Sequence, residues 1–166
     1  MAAVTAIGIG ANSIFSIQSM SVTSYETYEE AVDEGYKTEI KSQVQSAISV
    51  IQSEYDEYLA GEKTEEEAME HAKEFVRAMR YRDDQSGYFW IDGLDYNLVV
   101  HAVLTDQEGD NRKDLKDQNG VMITQSVVNV CKSADKGGYN EFYFTKSDGV
   151  TVAPKIAYSE LFEPWG

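Results

Sequence analysis

The run Gly87-Tyr88-Phe89-Trp90-Ile91 is the clearest structural signal in this chain. A short aromatic and aliphatic run that opens at a Gly and stops before Asp92 predicts a buried β-strand. Side chains alternate along a strand, so Tyr88 and Trp90 share one face. Each has a polar tip that needs a partner when it is buried. The pattern favours the wall of a small-ligand pocket, although a plain sheet core remains an alternative.

Two helices are expected before this strand. Apolar residues recur at steps of three and four, without Pro, from Ser24 to Leu59, which predicts one long amphipathic helix. Gly61 fits its C-cap. Thr64-Glu65-Glu66-Glu67 is a capping box that opens a second helix. The inner face of that helix is expected to carry Ala68, Ala72, Phe75, Val76 and Met79.

The apolar period changes from 3.6 to 2 after the second helix. Tyr88–Ile91 and Leu98–Val103, separated by a turn at Gly93–Tyr96, predict a hairpin. A short helix is expected over residues 120–132. A second hairpin is expected from Tyr139–Lys146 and Val152–Leu161, with Pro154 favouring an edge position. The prediction is an α+β fold in which a long N-terminal helix and a second helix pack on one side of an antiparallel sheet.

Charge and cysteine content exclude several classes of protein. The formal net charge is −15, which argues against nucleic acid as a partner and against docking to an anionic membrane surface. The single cysteine, Cys131, cannot form an internal disulfide and lies in an apolar run, so we expect a buried thiol.

The first 22 residues differ from the rest of the chain. They contain no charged side chain, since Glu26 is the first, and they combine an apolar start with Gly8 and Gly10. Glycines are tolerated in membrane helices and costly in soluble ones. We therefore expect residues 1–22 to be the remnant of a transmembrane helix, with a flexible soluble tail as the alternative.

An ordered set of motifs carries a family resemblance. The motifs are Tyr58-Leu59-Ala60-Gly61-Glu62, Met79-Arg80-Tyr81, Gly87-Tyr88-Phe89-Trp90-Ile91, Val100-His101, Glu108-Gly109, Asp114-Leu115-Lys116-Asp117-Gln118-Asn119-Gly120, Gly137-Gly138-Tyr139, Pro154-Lys155-Ile156-Ala157-Tyr158 and Phe162-Glu163-Pro164-Trp165-Gly166. In this order they resemble the single Cache domain, in particular the second single-Cache family. That family is a PAS-like extracytoplasmic sensor module of bacterial chemoreceptors (methyl-accepting chemotaxis proteins) and sensor histidine kinases.

The chain departs from the family pattern at three places. Ala102 follows His101 where the family usually has Pro, and Gln118 stands where the family has Pro in its Asp-Pro-Asn-Gly motif. After a Pro-Trp-Gly such as that ending at Gly166, the family continues into one more strand. We therefore expect residues 23–166 to form a single Cache domain that lacks its last C-terminal strand.

The resemblance implies a pocket for small carboxylates, with apolar walls and a few cations. The ligand-binding residues that it implies are Arg80, Tyr88, Trp90, His101, Lys155 and Tyr158. In this interpretation Lys155 or Arg80 pairs with the carboxylate. The alternatives are that Lys155 is an edge-strand charge, Arg80 a helix-end charge, and His101 a structural histidine.

Nothing in the sequence predicts catalysis, a metal or a cofactor. His71, expected on the surface, and His101 lack metal-ligand spacing, and the acidic stretch from Asp106 to Asp114 does not fit a calcium loop.

From the family resemblance we expect an extracytoplasmic domain of a cell-membrane chemoreceptor that binds acetate, propionate, lactate or pyruvate. It would signal through its long N-terminal helix, pair through that helix as a homodimer, and connect to flanking transmembrane helices. A sensor histidine kinase or a free-standing PAS-like module is the alternative.

Overall fold

The computed structural model of the protein describes residues 33–146 and 148–166. The chain divides into two units, Met1–Glu39 and Ile40–Gly166. Helix α1 comprises residues 33–59, in agreement with the predicted long helix. Residues 40–59 of this helix belong to the second unit. The predicted membrane remnant, residues 1–22, lies outside the described residues. Within the described part, no helix has the length and apolar character needed to cross a membrane.

Helix α2 spans Glu65–Ala78 and begins at the predicted capping box. The Glu67 amide donates to Thr64 Oγ1 at 3.2 Å, and the Thr64 amide donates to Glu67 Oε2 at 2.8 Å. Gly61, after α1, has a φ of +76°, a left-handed conformation that favours Gly. The buried face of α2 is Ala68, Ala72 and Val76. The prediction of Phe75 on this face was wrong: it lies at the edge of the stripe and is 50% exposed.

The strands form three antiparallel pairs. They are β1 (Arg80–Tyr81) with β2 (Gly87–Tyr88), β3 (Trp90–Asp92) with β4 (Leu98–His101), and β5 (Gly137–Thr145) with β6 (Val152–Glu160). The predicted strand Tyr88–Ile91 is thus divided at Phe89, and β1 was not predicted. Helix α3 spans Ile123–Cys131, after a turn in which Asp117 Oδ1 accepts the Asn119 and Val121 amides.

Two apolar clusters lie on opposite faces of β3 and β4. The first cluster packs Phe89 and Val100 against α1 and α2, and its buried members are Ala47, Ile51, Ala72, Val76, Phe89 and Val100. The second packs Trp90 against α3, β5 and β6, and its buried members are Ile123, Val127, Phe142 and Ala157. This division follows from strand alternation, and the helices and antiparallel strand pairs together confirm the predicted α+β class. Cys131 is buried, as expected.

Candidate functional site

Aromatic side chains of β2, β3 and β4 meet those of β5 beside the second apolar cluster. The ring of His101 lies 5.4 Å from Tyr88, 6.5 Å from Trp90 and 6.1 Å from Phe144, measured between ring centroids. Trp90 also lies 6.5 Å from Phe142, edge to face. We term these five residues, Tyr88, Trp90, His101, Phe142 and Phe144, the aromatic cluster. Trp90 and His101 share a face because they are register partners across β3 and β4.

Lys155 brings a positive charge to this cluster. It lies opposite Phe142 in the β5–β6 register, and its Nζ donates to Tyr88 Oη at 2.8 Å. Tyr88 Oη in turn donates to the carbonyl of Thr145 at 2.9 Å. Burial lowers the pKa of Lys155 to about 8 and raises the pKa of Tyr88 to about 12. At neutral pH the pair is therefore an ammonium group bonded to an un-ionised phenol.

No carboxylate within the described residues forms an ion pair with Lys155. The described ion pairs engage other cations, such as Lys63 with Glu54 and Arg77 with Glu108. A half-buried ammonium group whose pKa is lowered by burial is stabilised by an anion. Lys155 thus has the chemistry of an anion-binding group.

His101 is held as a neutral imidazole. It is 1% exposed, and its Nδ1 accepts the backbone amides of Val103 and Leu104 at 3.1 and 2.9 Å. Burial, together with the positive charges of Arg112 and Lys155, lowers the pKa of His101 to about 4. Because Nδ1 is an acceptor, the proton of the neutral ring lies on Nε2. The ring is therefore a fixed hydrogen-bond donor across neutral pH.

Glu108 fixes the backbone of His101. Its Oε1 accepts the His101 amide at 2.9 Å and Arg77 Nε at 3.1 Å, while its Oε2 accepts Arg77 Nη2 at 2.7 Å. The pKa of Glu108 is lowered, with the Arg77 hydrogen bond as the largest cause. Since Arg77 lies in the last turn of α2, this carboxylate links the candidate site to a helix of the first apolar cluster.

Arg112 and Asp92 form a buried ion pair that the sequence did not reveal. Arg112 Nη2 donates to Asp92 Oδ1 at 2.6 Å, and the Asp92 side chain is 3% exposed. The other Asp92 oxygen accepts Trp90 Nε1 at 3.0 Å, which orients the indole. Burial raises the pKa of Asp92, against the lowering effect of Arg112. The contact joins residues twenty positions apart, and no periodic signal marks Arg112 in its polar loop.

Four of the six predicted ligand-binding residues come together: Tyr88, Trp90, His101 and Lys155. Arg80 lies opposite Tyr88 in the β1–β2 register, but it is exposed. Its guanidinium donates to three backbone carbonyls, those of Arg77, Met79 and Ala102. In the structure, the Arg80 guanidinium therefore links the end of α2 to the backbone that follows β4.

Tyr158 lies on the other face of β6. It is three residues from Lys155, and its register partner is Tyr139, whose ring is 4.9 Å away. Its hydroxyl donates to Glu160 Oε2 at 3.2 Å, and Lys41 Nζ lies 5.5 Å from its ring centroid. The structure therefore does not bring Tyr158 to the aromatic cluster.

The acidic stretch near Asp106 does not build a metal site. Within residues 33–146 and 148–166, no group of three or more His, Cys, Asp or Glu side chains is placed to hold a metal ion. Glu108 is engaged by Arg77, and His71 is exposed on α2, as expected.

Comparison with known proteins identifies the family. The family model described as single Cache domain 2 matches residues 32–166. The chain belongs to this family. Cache domains are sensory modules that bind ligands and transmit signals, so this domain is not an enzyme.

Two curated relatives are a chemotaxis protein and a sensor kinase. The chain is 28% identical over 123 residues to the methyl-accepting chemotaxis protein McpP of Pseudomonas putida. The matched segment is 74% of this chain and 22% of that protein. It is 25% identical over 147 residues to the sensor histidine kinase MctS of Rhizobium johnstonii. This match spans 89% of this chain and 30% of that protein. The chain thus spans less than a third of the length of these relatives.

Two solved structures share the fold. One, from a study of carboxylic acid recognition by a Cache chemosensory domain, has a TM-score of 0.76 and 26% identity, covering 82% of this chain and 91% of that one. The other, a periplasmic sensor domain of a chemotaxis protein, has a TM-score of 0.73 and 26% identity, covering 78% and 88%.

Proposed function

We propose that this domain binds a small monocarboxylate, of the acetate, propionate, lactate or pyruvate class, as the extracytoplasmic sensor of a bacterial transmembrane chemoreceptor. The observation that carries the proposal is Lys155, whose ammonium group lies against Tyr88 without a carboxylate partner within the described residues. The similarity to a Cache domain that recognises carboxylic acids supports the same ligand class.

The site supplies a charge and donors for one anion. Lys155 pairs with the carboxylate, and His101 Nε2, which carries the ring proton, donates to it. Tyr88 positions the ammonium group through its hydroxyl. Trp90 and Phe142 form apolar walls that exclude water, which strengthens the ion pair. Because the net charge of the chain is −15, the positive potential that an anion needs must come from cations at the site itself, such as Lys155.

Signalling is proposed to pass from the site to the helices. If β4 has two arrangements, a ligand that binds one of them more tightly increases the population of that arrangement. The Glu108–Arg77 pair connects the His101 backbone to α2, which packs with α1 in the first apolar cluster. The proposal includes a homodimer formed through the long N-terminal helix and a membrane connection through flanking helices.

A sensor histidine kinase is the second candidate, favoured by the similarity to MctS over 89% of this chain. Its ligand site would be the same, and only the output differs. Fusing the domain with each type of output module and measuring kinase activity with and without ligand separates the two.

Thermal-shift measurements test the ligand class. Acetate, propionate, lactate and pyruvate should each be compared with propionamide, which has the size of propionate without its charge. The proposal predicts that at least one acid raises the melting temperature and that propionamide does not. No shift with any acid, or an equal shift with the amide, would refute the carboxylate site.

A further inference from the structure

We propose that Arg112 is a second ligand-binding residue, which donates a hydrogen bond to the oxygen on C2 of a 2-oxo or 2-hydroxy acid. The domain would then prefer pyruvate or lactate to propionate. This inference rests on the proposed carboxylate site and identifies which acids it selects.

Arg112 keeps an unused donor in a buried position. The residue is 7% exposed, and its Nη2 is bonded to Asp92. Its Nε is fully buried and has no hydrogen-bond partner among the residues that the structure describes. A buried donor without an acceptor costs free energy, and native proteins rarely leave one. An acceptor supplied by a ligand removes that cost.

Arg112 is connected to the aromatic cluster through Asp92. Asp92 accepts from Arg112 through one oxygen and from the Trp90 indole through the other. Trp90 stacks on His101, with 25° between the ring planes. The charges of Arg112 and Lys155 both act on the His101 imidazole. Arg112 and Lys155 therefore both lie near the His101 ring. Arg112 is joined to Trp90 through Asp92, and Lys155 is bonded to Tyr88.

The acceptor on the ligand is expected to be neutral. Asp92 already balances the charge of Arg112, whereas Lys155 has no such partner within the described residues. A second carboxylate placed at Arg112 would meet the Asp92 charge in a dry environment, which disfavours it. A keto or hydroxyl oxygen can accept from a guanidinium without that repulsion. This argument selects substituted monocarboxylates over dicarboxylates.

The competing explanation is that Arg112 only neutralises Asp92 and orients Trp90. Arg112→Lys separates the two explanations, because lysine keeps the positive charge but lacks Nε and the planar fork. Lys113→Gln is the matched control, because it removes an exposed positive charge from the adjacent position.

Calorimetric titration of the whole chain with propionate, lactate and pyruvate tests the proposal. The wild-type protein should bind lactate or pyruvate roughly ten- to a hundredfold more tightly than propionate, the range for a hydrogen bond to a charged donor. In Arg112→Lys this ratio should fall to about one while propionate affinity is retained, and Lys113→Gln should keep the wild-type ratio.

Each other result overturns the inference. A wild-type protein that binds the three acids equally, or an Arg112→Lys variant that keeps the wild-type ratio, refutes the role of Arg112 and leaves the carboxylate site intact. A wild-type protein that binds none of them refutes the proposed function as well. If Arg112→Lys does not fold, the double variant Arg112→Gln with Asp92→Asn removes both charges together, and the same loss of preference is expected.

Discussion

The ammonium group of Lys155 and the hydroxyl of Tyr88 are 2.8 Å apart, and the ammonium lies 4.4 Å from the centroid of the Tyr88 ring. The contact joins β6 to β2 across sixty-seven positions of sequence. A cation held by a phenol and a ring face is attracted to both, but neither neutralises it. This arrangement keeps a positive charge available beside His101 and Trp90.

Ligand affinity should fall at alkaline pH. Burial lowers the pKa of Lys155 to about 8, and only the protonated amine pairs with a carboxylate. Titration calorimetry with the tightest-binding acid should give a nearly constant affinity below pH 7 and roughly thirtyfold weaker binding at about pH 9.5. A Lys155→Arg variant that still binds should lose this dependence, since arginine stays charged. The same pH profile in both proteins would show that another group titrates.

Stability should fall at mildly acid pH because of His101. Its pKa is about 4 in the folded protein and 6.5 in the unfolded chain, so the unfolded chain binds more protons between these values. The stabilisation that comes from keeping His101 neutral should therefore be fully present above about pH 6.5, and the free energy of unfolding should decline by about 3 kcal/mol as the pH falls to 4. Urea denaturation at several pH values measures the slope.

The two histidines of the chain provide a matched pair for this test. His101→Asn, which retains an acceptor near the Val103 and Leu104 amides, should flatten the slope. His71→Gln changes the exposed histidine of α2 and should keep the slope of the wild-type protein. An unchanged slope in His101→Asn would contradict the assignment.

Glu108 should couple stability to ligand binding. Glu108→Gln is isosteric but loses the charge that holds both Arg77 and the His101 amide, which should lower the free energy of unfolding by about 1–2 kcal/mol. Affinity for the acid should also fall, because His101 loses its backbone anchor. Glu70→Gln breaks an exposed pair with Lys73 within α2 and should change neither quantity. Wild-type affinity in Glu108→Gln would exclude the coupling.

Local patterns predicted much of the fold. The capping box at Thr64, the left-handed Gly61 and the apolar stripes of α1 and α2 depend on neighbours a few residues away, so sequence is sufficient for them. The division of Phe89 from Trp90 onto opposite faces follows from strand alternation. Strand β1 was missed because two residues carry no periodicity and form a strand only by pairing with Gly87 and Tyr88.

The positions of site residues could be predicted where they follow strand alternation, but not where they depend on contacts between residues distant in the sequence. Trp90 and His101 converge because they are register partners across β3 and β4, and Tyr88, two positions before Trp90, shares their face. Tyr158 is an odd number of positions from Lys155, so the two side chains lie on opposite faces of β6. The pairing of Arg112 with Asp92 is set by the loop between β4 and α3, for which the sequence has no local rule.

The most direct measurement is the affinity of Lys155→Ala for the tightest-binding acid, determined by calorimetry on protein shown to be folded. Truncation leaves the carboxylate without its cation and should cost about 2–5 kcal/mol of binding free energy. Lys116→Ala, which removes an exposed lysine from the loop before α3, should bind with wild-type affinity. Unchanged affinity in Lys155→Ala would contradict the account, because Lys155 would then be only a charge on the edge of β6.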